Sequence, residues 1–170
     1  MPTYKTDFES WKSFINGQWI IFDADAIISI LGFEQEYILG ELRELNAGFV
    51  YINPVLLELM NTNDAKNKLK RSKILIEYEF LELPLKDSEI KLAAQIQRSL
   101  PLTCQPSPTD LYLGGTLAKH HEENRLLLTA NIKDFPSPLY TRKGHILLQN
   151  EKSIKTLSFL CIDKTKLVEL

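Results

Sequence analysis

Gln18-Trp19-Ile20-Ile21-Phe22-Asp23-Ala24-Asp25-Ala26-Ile27-Ile28-Ser29-Ile30-Leu31-Gly32 is the stretch whose reading decides the fold. Trp19 to Phe22 is apolar without polar alternation, the pattern of a strand in a parallel sheet covered on both faces. It ends at an acid, and Asp23-Ala24-Asp25 reads as a turn into a helix from Ala26. Asp25 is expected to cap that helix and Gly32 to end it.

Outward from this unit the pattern repeats. A helix is expected over Glu34 to Leu45, a strand over Phe49 to Ile52, and a helix through Met60 with Asn53 as cap and Pro54 first. Asp64 to Lys73 is the most basic stretch, carrying Lys66, Lys68, Lys70, Arg71 and Lys73. Phe80 to Leu85 reads as a weaker strand, Ser88 to Leu100 as a helix, and Pro101 to Pro108 as a proline-rich loop. Ser107 to Asp110 opens a helix running to about His121, and Arg125 to Thr129 is the clearest later strand. His145 to Leu148 and Thr156 to Leu160 are the last two. Strands alternating with helices predict an α/β fold with a mainly parallel sheet.

The chain has 170 residues, enough for one catalytic domain and too few for two. Hydrophobic residues make up 44% and charged residues 25%, which excludes disordered and fibrous classes. The net charge of −2 argues against coating nucleic acid by bulk electrostatics, yet leaves a nuclease open. It hides an asymmetry: residues 1–60 carry 9 acids against 3 bases, net −6, and residues 61–170 carry 13 against 17, net +4. Cys104 and Cys161 have neither metal-site spacing nor disulfide density, so a reducing cytoplasm is expected. No apolar signal region and no membrane span is read from the sequence, so the expectation is a soluble protein without a membrane partner.

In open α/β sheets, ligands bind outside the carboxyl ends of the strands. Asp23 follows the first strand, Glu58 lies one turn into the helix after the second, Asp110 opens a helix, and Asn131 and Asp134 follow the Arg125–Thr129 strand. Most have structural explanations: Asp110 fits a capping box with Ser107, and Asn131 and Asp134 fit a turn. Asp23 and Glu58 resist this, because both sit among apolar residues. A buried carboxylate needs a cation or strong donor, and residues 1–60 offer only Lys5, Lys12 and Arg43 as bases. A divalent metal is the simpler counter-charge. Carboxylates and an amide are hard oxygen ligands suited to Mg²⁺ or Mn²⁺, whose chemistry on phosphate is in-line hydrolysis. His120, His121 and His145 have no metal spacing and are read as surface or packing residues.

Taken in order, Ile20 to Ile28, Asn53 to Leu59, Pro108-Thr109-Asp110 and Leu127 to Phe135 resemble a PIN domain over residues 18–148. The resemblance implies a three-layer α/β/α sandwich and a metal-dependent ribonuclease, often the toxin of a VapC-type toxin–antitoxin pair. It assigns Asp23, Glu58 and Asp110 to the family's first three acids, Thr129 and Asn131 to its Thr-x-Asn/Asp motif, and Asp134 beside it. Metal ligands are then Asp23, Glu58, Asp110 and Asp134, with Asn131 as ligand or water-orienting residue. Expected partners are an RNA substrate, an antitoxin and a second copy of the chain. Residues 1–17 and 149–170 lie outside the matched region as extensions, the latter able to add a strand. Gly114-Gly115 replaces the family's small alanines and points to close backbone packing. Two other readings stand beside the nuclease: an inactive PIN-like interaction module, and a haloacid-dehalogenase-type phosphatase with Asp23 as nucleophile and Asp25 as acid. The phosphatase lacks its downstream acidic pair.

Overall fold

Ile20, Ile21 and Phe22 are wholly buried, and the strand they form, β1 (Trp19–Phe22), lies inside a six-stranded sheet. The computed structural model describes residues 9–120 and 125–168; residues 1–8 and His121 fall outside them. In chain order the elements are α1 (Glu9–Ile15), β1, α2 (Ala24–Gly32), α3 (Tyr37–Glu44), β2 (Gly48–Ile52), α4 (Asn53–Met60), α5 (Ala65–Glu77) and β3 (Leu81–Leu83). After them come α6 (Asp87–Ser99), α7 (Pro108–Lys119), β4 (Arg125–Thr129), β5 (Tyr140–Gln149) and β6 (Ile154–Ile162).

The strand order is β3-β2-β1-β4-β6-β5. β1 pairs in parallel with both β2 and β4, and β2 pairs in parallel with β3. β6 runs antiparallel between β4 and β5. The protein is thus α/β with a mixed, mostly parallel sheet. The antiparallel part follows from the connection: residues 150–153 make a tight turn, in which the Asn150 side chain accepts from the Lys152 and Ser153 backbone N–H groups. So short a link joins only antiparallel neighbours, whereas parallel strands need a long crossover.

Helices α2, α4 and α5 pack on one another, and α6 packs on α7. Phe22, Phe49 and Phe80 form an aromatic cluster with centroids 4.9–5.1 Å apart. Trp11 and Ile15 of α1 enter the same core. Gly115 lets α7 approach α6 closely: a Cβ there would strike the Glu89 carbonyl and come 3.0 Å from the Ala93 nitrogen. At Gly114 a Cβ would meet the Tyr140 hydroxyl and lie 3.0 Å from Ile96.

Three local expectations are corrected. The cap position of α2 is Asp23, with Asp25 inside the first turn. The left-handed residue after α2 is Glu34, at φ 56°, while Gly32 is the last helical residue. Helix α4 begins at Asn53 itself, with Ile52 in the cap position. The basic stretch is helix α5, capped by Asp64, whose side chain accepts from the N–H groups of Lys66 and Asn67.

Candidate active site at the strand ends

β2 lies on one side of β1 and β4 on the other, so the strand order reverses at β1 and β4. Such a switch point opens a crevice beyond the strand ends. Asp23 continues the β1 ladder, its N–H donating to Leu128 O at 3.0 Å. Its carbonyl accepts the first bonds of α2, but its side chain makes no capping bond. The carboxylate turns instead toward β4, where Thr129 Oγ1 donates to Oδ2 at 2.7 Å. The Asn131 N–H donates to Thr129 Oγ1 at 3.0 Å, so the hydroxyl accepts from the turn and aims its own hydrogen at Asp23.

Asp23 is 4% exposed and Thr129 fully buried. Burial pushes the Asp23 carboxyl up to about 7 against the Thr129 hydrogen bond, and the charges of Asp110, Asp25 and Glu58 push the same way. The switch point therefore brings three further carboxylates within electrostatic reach of Asp23. Asp134 joins them: burial raises its carboxyl, Asp110 and Asp25 add to the rise, and the bond from Asn131 opposes it.

Each further residue is positioned by local structure. Asp110 stands in the first turn of α7, where the Ser107 Oγ–H and N–H donate to Oδ2 at 2.6 and 2.9 Å and the Asp110 N–H donates back to Ser107 Oγ at 3.2 Å. That is the capping box the sequence suggests, and it occupies Oδ2 alone. Asp134 ends the 3₁₀ turn Ile132–Asp134, and Asn131 Nδ2 donates to its Oδ2. Glu58, expected among apolar neighbours to be buried, is exposed. Only Val55 and Leu59 of α4 are buried, and even Leu57 is 72% exposed. Glu58 reaches the cluster through its charge on Asp23.

Sequence reasoning treats Asp25 chiefly as a cap, yet it belongs to the acidic group. Its signal was the Asp-x-Asp spacing. Cys104 and Tyr140 lie within electrostatic reach of the acids. Burial and then the charges of Asp134 and Asp110 raise the Cys104 thiol, and burial and then Asp110 raise the Tyr140 hydroxyl. Nothing in sequence spacing marks either residue.

Arg43, Lys70 and Arg71 are engaged away from the cluster. Arg43 donates to the carbonyls of Ala47, Tyr78 and Glu79 and lies over the Phe49 ring. Lys70 pairs with Glu36 at 2.9 Å, and Arg71 donates to Leu59 O at 2.7 Å. Lys133 beside Asp134 lowers that carboxyl slightly against the other causes. His120 faces the buried Glu89 at 3.6 Å, an ion-pair position rather than a place in the cluster.

Among the described residues, no three His, Cys, Asp or Glu side chains stand close enough together to hold a metal ion as they are placed. The acids around Asp23 offer carboxylate oxygens, the ligand type of a hard divalent cation, and positive charge there would oppose the negative charges that act on Asp23 and Asp134. No family model, curated protein or solved structure matches the chain. No described helix is long and apolar enough to cross a membrane.

Proposed function

We propose that this chain is a metal-dependent ribonuclease of PIN-like, three-layer α/β/α build that hydrolyses RNA phosphodiester bonds. The observation that carries the reading is Asp23, a 4%-exposed carboxylate whose surroundings supply one hydroxyl donor and several negative charges. Holding such a group charged without a cation is costly, and a switch point is where ligands of α/β folds bind.

In this reading Asp23 and Asp110 hold Mg²⁺ or Mn²⁺, with Glu58 ligating or orienting the attacking water from the exposed side. Asn131 and Asp134 complete the shell, Asn131 fixing the Asp134 carboxylate. Thr129 positions Asp23 and does not touch the substrate. A bound ion supplies neutralisation of the scissile phosphate and a lowered pKa for water. A toxin role in a type II toxin–antitoxin pair is the narrower form of the proposal and requires an antitoxin partner.

The test is cleavage of end-labelled RNA with Mg²⁺ or Mn²⁺ and with EDTA. Metal-dependent cleavage that Asp23→Asn and Asp110→Asn abolish, in proteins that still fold, supports the reading. Phosphate release from a small phosphomonoester without RNA cleavage would replace it with the phosphatase. RNA or protein binding without hydrolysis would replace it with the interaction module.

A further inference from the structure

Next to the acidic cluster lies an open cavity of about 400 Å³ lined by Ile132, Phe135, Pro136, Tyr140, Thr141 and Arg142. Its volume falls within the range of small-ligand sites, roughly 300–1,000 Å³. Ile132 and Phe135 bracket the turn that carries Asp134, so the cavity begins where the cluster ends. Phe135 and Tyr140 meet edge to face at 5.2 Å and are buried, so they form a fixed floor beneath the cavity. Above that floor Ile132, 40% exposed, and the half-buried Pro136 form the apolar wall that a ligand can reach.

The mouth has the opposite character. Arg142 is exposed, and among the described residues no carboxylate pairs with it. Lys143 follows it, Lys133 is exposed on the neighbouring turn, and residues 135–150 contain no acid. An anionic head with a flat apolar body matches both parts: a guanidinium binds phosphate in a fork, and an apolar wall takes a base. The base enters only from an unpaired strand, because in a duplex its faces are stacked.

We propose that this cavity seats one nucleotide of a single-stranded RNA beside the acidic cluster, its phosphate on Arg142 and its base against Ile132 and Pro136. The proposal rests on the ribonuclease reading for its choice of RNA. It makes Arg142 a substrate-binding residue.

The test uses the full chain and a short fluorescein-labelled mixed-sequence single-stranded RNA, with binding measured in EDTA and cleavage in Mg²⁺. Arg142→Ala should weaken binding about tenfold and lower the slope of log K against log salt by about 0.7, as expected for one lost single-strand phosphate contact. Thr141→Trp, which fills the cavity and keeps the arginine, should weaken binding while leaving the salt slope in place. In cleavage, both substitutions should act mainly on KM. Adenosine 5′-monophosphate should compete with the RNA for the wild type and lose that effect in Arg142→Ala, and a duplex of the same sequence should bind less well. Cleavage with KM and Kd unchanged in both variants overturns the cavity proposal and leaves the nuclease standing. Arg142-dependent RNA binding without cleavage in any divalent metal keeps the cavity and removes the nuclease. No binding of RNA by the wild type overturns the proposal.

Discussion

Thr129 Oγ1 lies 2.7 Å from Asp23 Oδ2, a buried hydrogen bond between residues 106 positions apart that ties the end of β4 to the end of β1. Because the Asn131 N–H donates to the same hydroxyl, the Thr129 hydrogen has a fixed direction. Thr129→Val keeps the shape and removes that donor. Losing a partner to a buried group costs about 1–3 kcal/mol; the Asn131 N–H, which loses its acceptor, bears a part that is the same at every pH, and the ionised carboxyl bears a part that grows as Asp23 loses its proton. The expected outcome is greater destabilisation above the Asp23 pKa than below it, a carboxyl displaced further upward in an NMR titration, and weaker Mn²⁺ binding. Thr129→Ser, which retains the hydroxyl, should restore most of each. Equal behaviour of the two variants would show that the hydroxyl does not act on Asp23.

Asp23 also gives metal-free stability a definite pH dependence. Its carboxyl is raised from 3.8 to about 7, so between these values the folded chain binds a proton that the unfolded chain has lost. Stability contributed by this group therefore falls as pH rises through that window, and above about 7 the full penalty is present. The penalty is on the order of 4 kcal/mol by the usual conversion of pKa to free energy. In EDTA, Asp23→Asn should melt higher than wild type at pH 8, by roughly 10 °C for a chain of this size. The gap should narrow toward pH 4. Parallel melting curves across the range would contradict the raised carboxyl.

Much of this site is legible in the sequence, and the reason is local. Trp19–Phe22 and Arg125–Thr129 are apolar runs that stop at polar residues, so Asp23 and Asn131 fall at strand ends whatever surrounds them. Ser107 and Asp110 form a capping box within four residues of chain. The exposure of Glu58 is not legible, because apolar neighbours in an eight-residue helix do not say which face is covered. Nor is the insertion of β6 between β4 and β5, or the Thr129–Asp23 bond. Both depend on pairings between residues far apart in the chain, which no window of sequence contains.

A divalent cation should reverse the penalty at the cluster. At pH 8, Mn²⁺ at about a hundredfold over its Kd should stabilise the protein by about 2.7 kcal/mol, since it binds the folded chain alone. Asp23→Asn should remove the effect, and Asp110→Asn and Asp134→Asn should reduce it. Glu58→Gln should reduce it least, because an exposed carboxylate has the smallest unrelieved repulsion to give up. Thermal melts with and without Mn²⁺ decide this, with Glu44→Gln, an exposed residue at the opposite end of the strands, as control. A Mn²⁺ shift that survives Asp23→Asn would place the ion elsewhere.

Two glycines separate packing from helix propensity. Gly40 lies in α3 with nothing within 4 Å of an added Cβ, whereas Gly115 in α7 has the Glu89 carbonyl where a Cβ would go. In a helix interior alanine is favoured over glycine by roughly 1 kcal/mol. Gly40→Ala should therefore stabilise the fold by about that amount. Gly115→Ala has the same propensity gain, but backbone atoms of α6 cannot rotate away as a side-chain tip would, so the helices must separate. Overpacking of this kind costs about 1–3 kcal/mol, enough to cancel or exceed the gain. Chemical denaturation should show a higher midpoint for Gly40→Ala and a lower one for Gly115→Ala. Because Asp110 sits five residues before Gly115 on the same helix, displacement of α7 should also weaken Mn²⁺ binding in Gly115→Ala and leave it intact in Gly40→Ala. Two variants alike in stability would mean that α6 and α7 are not held at the separation seen here.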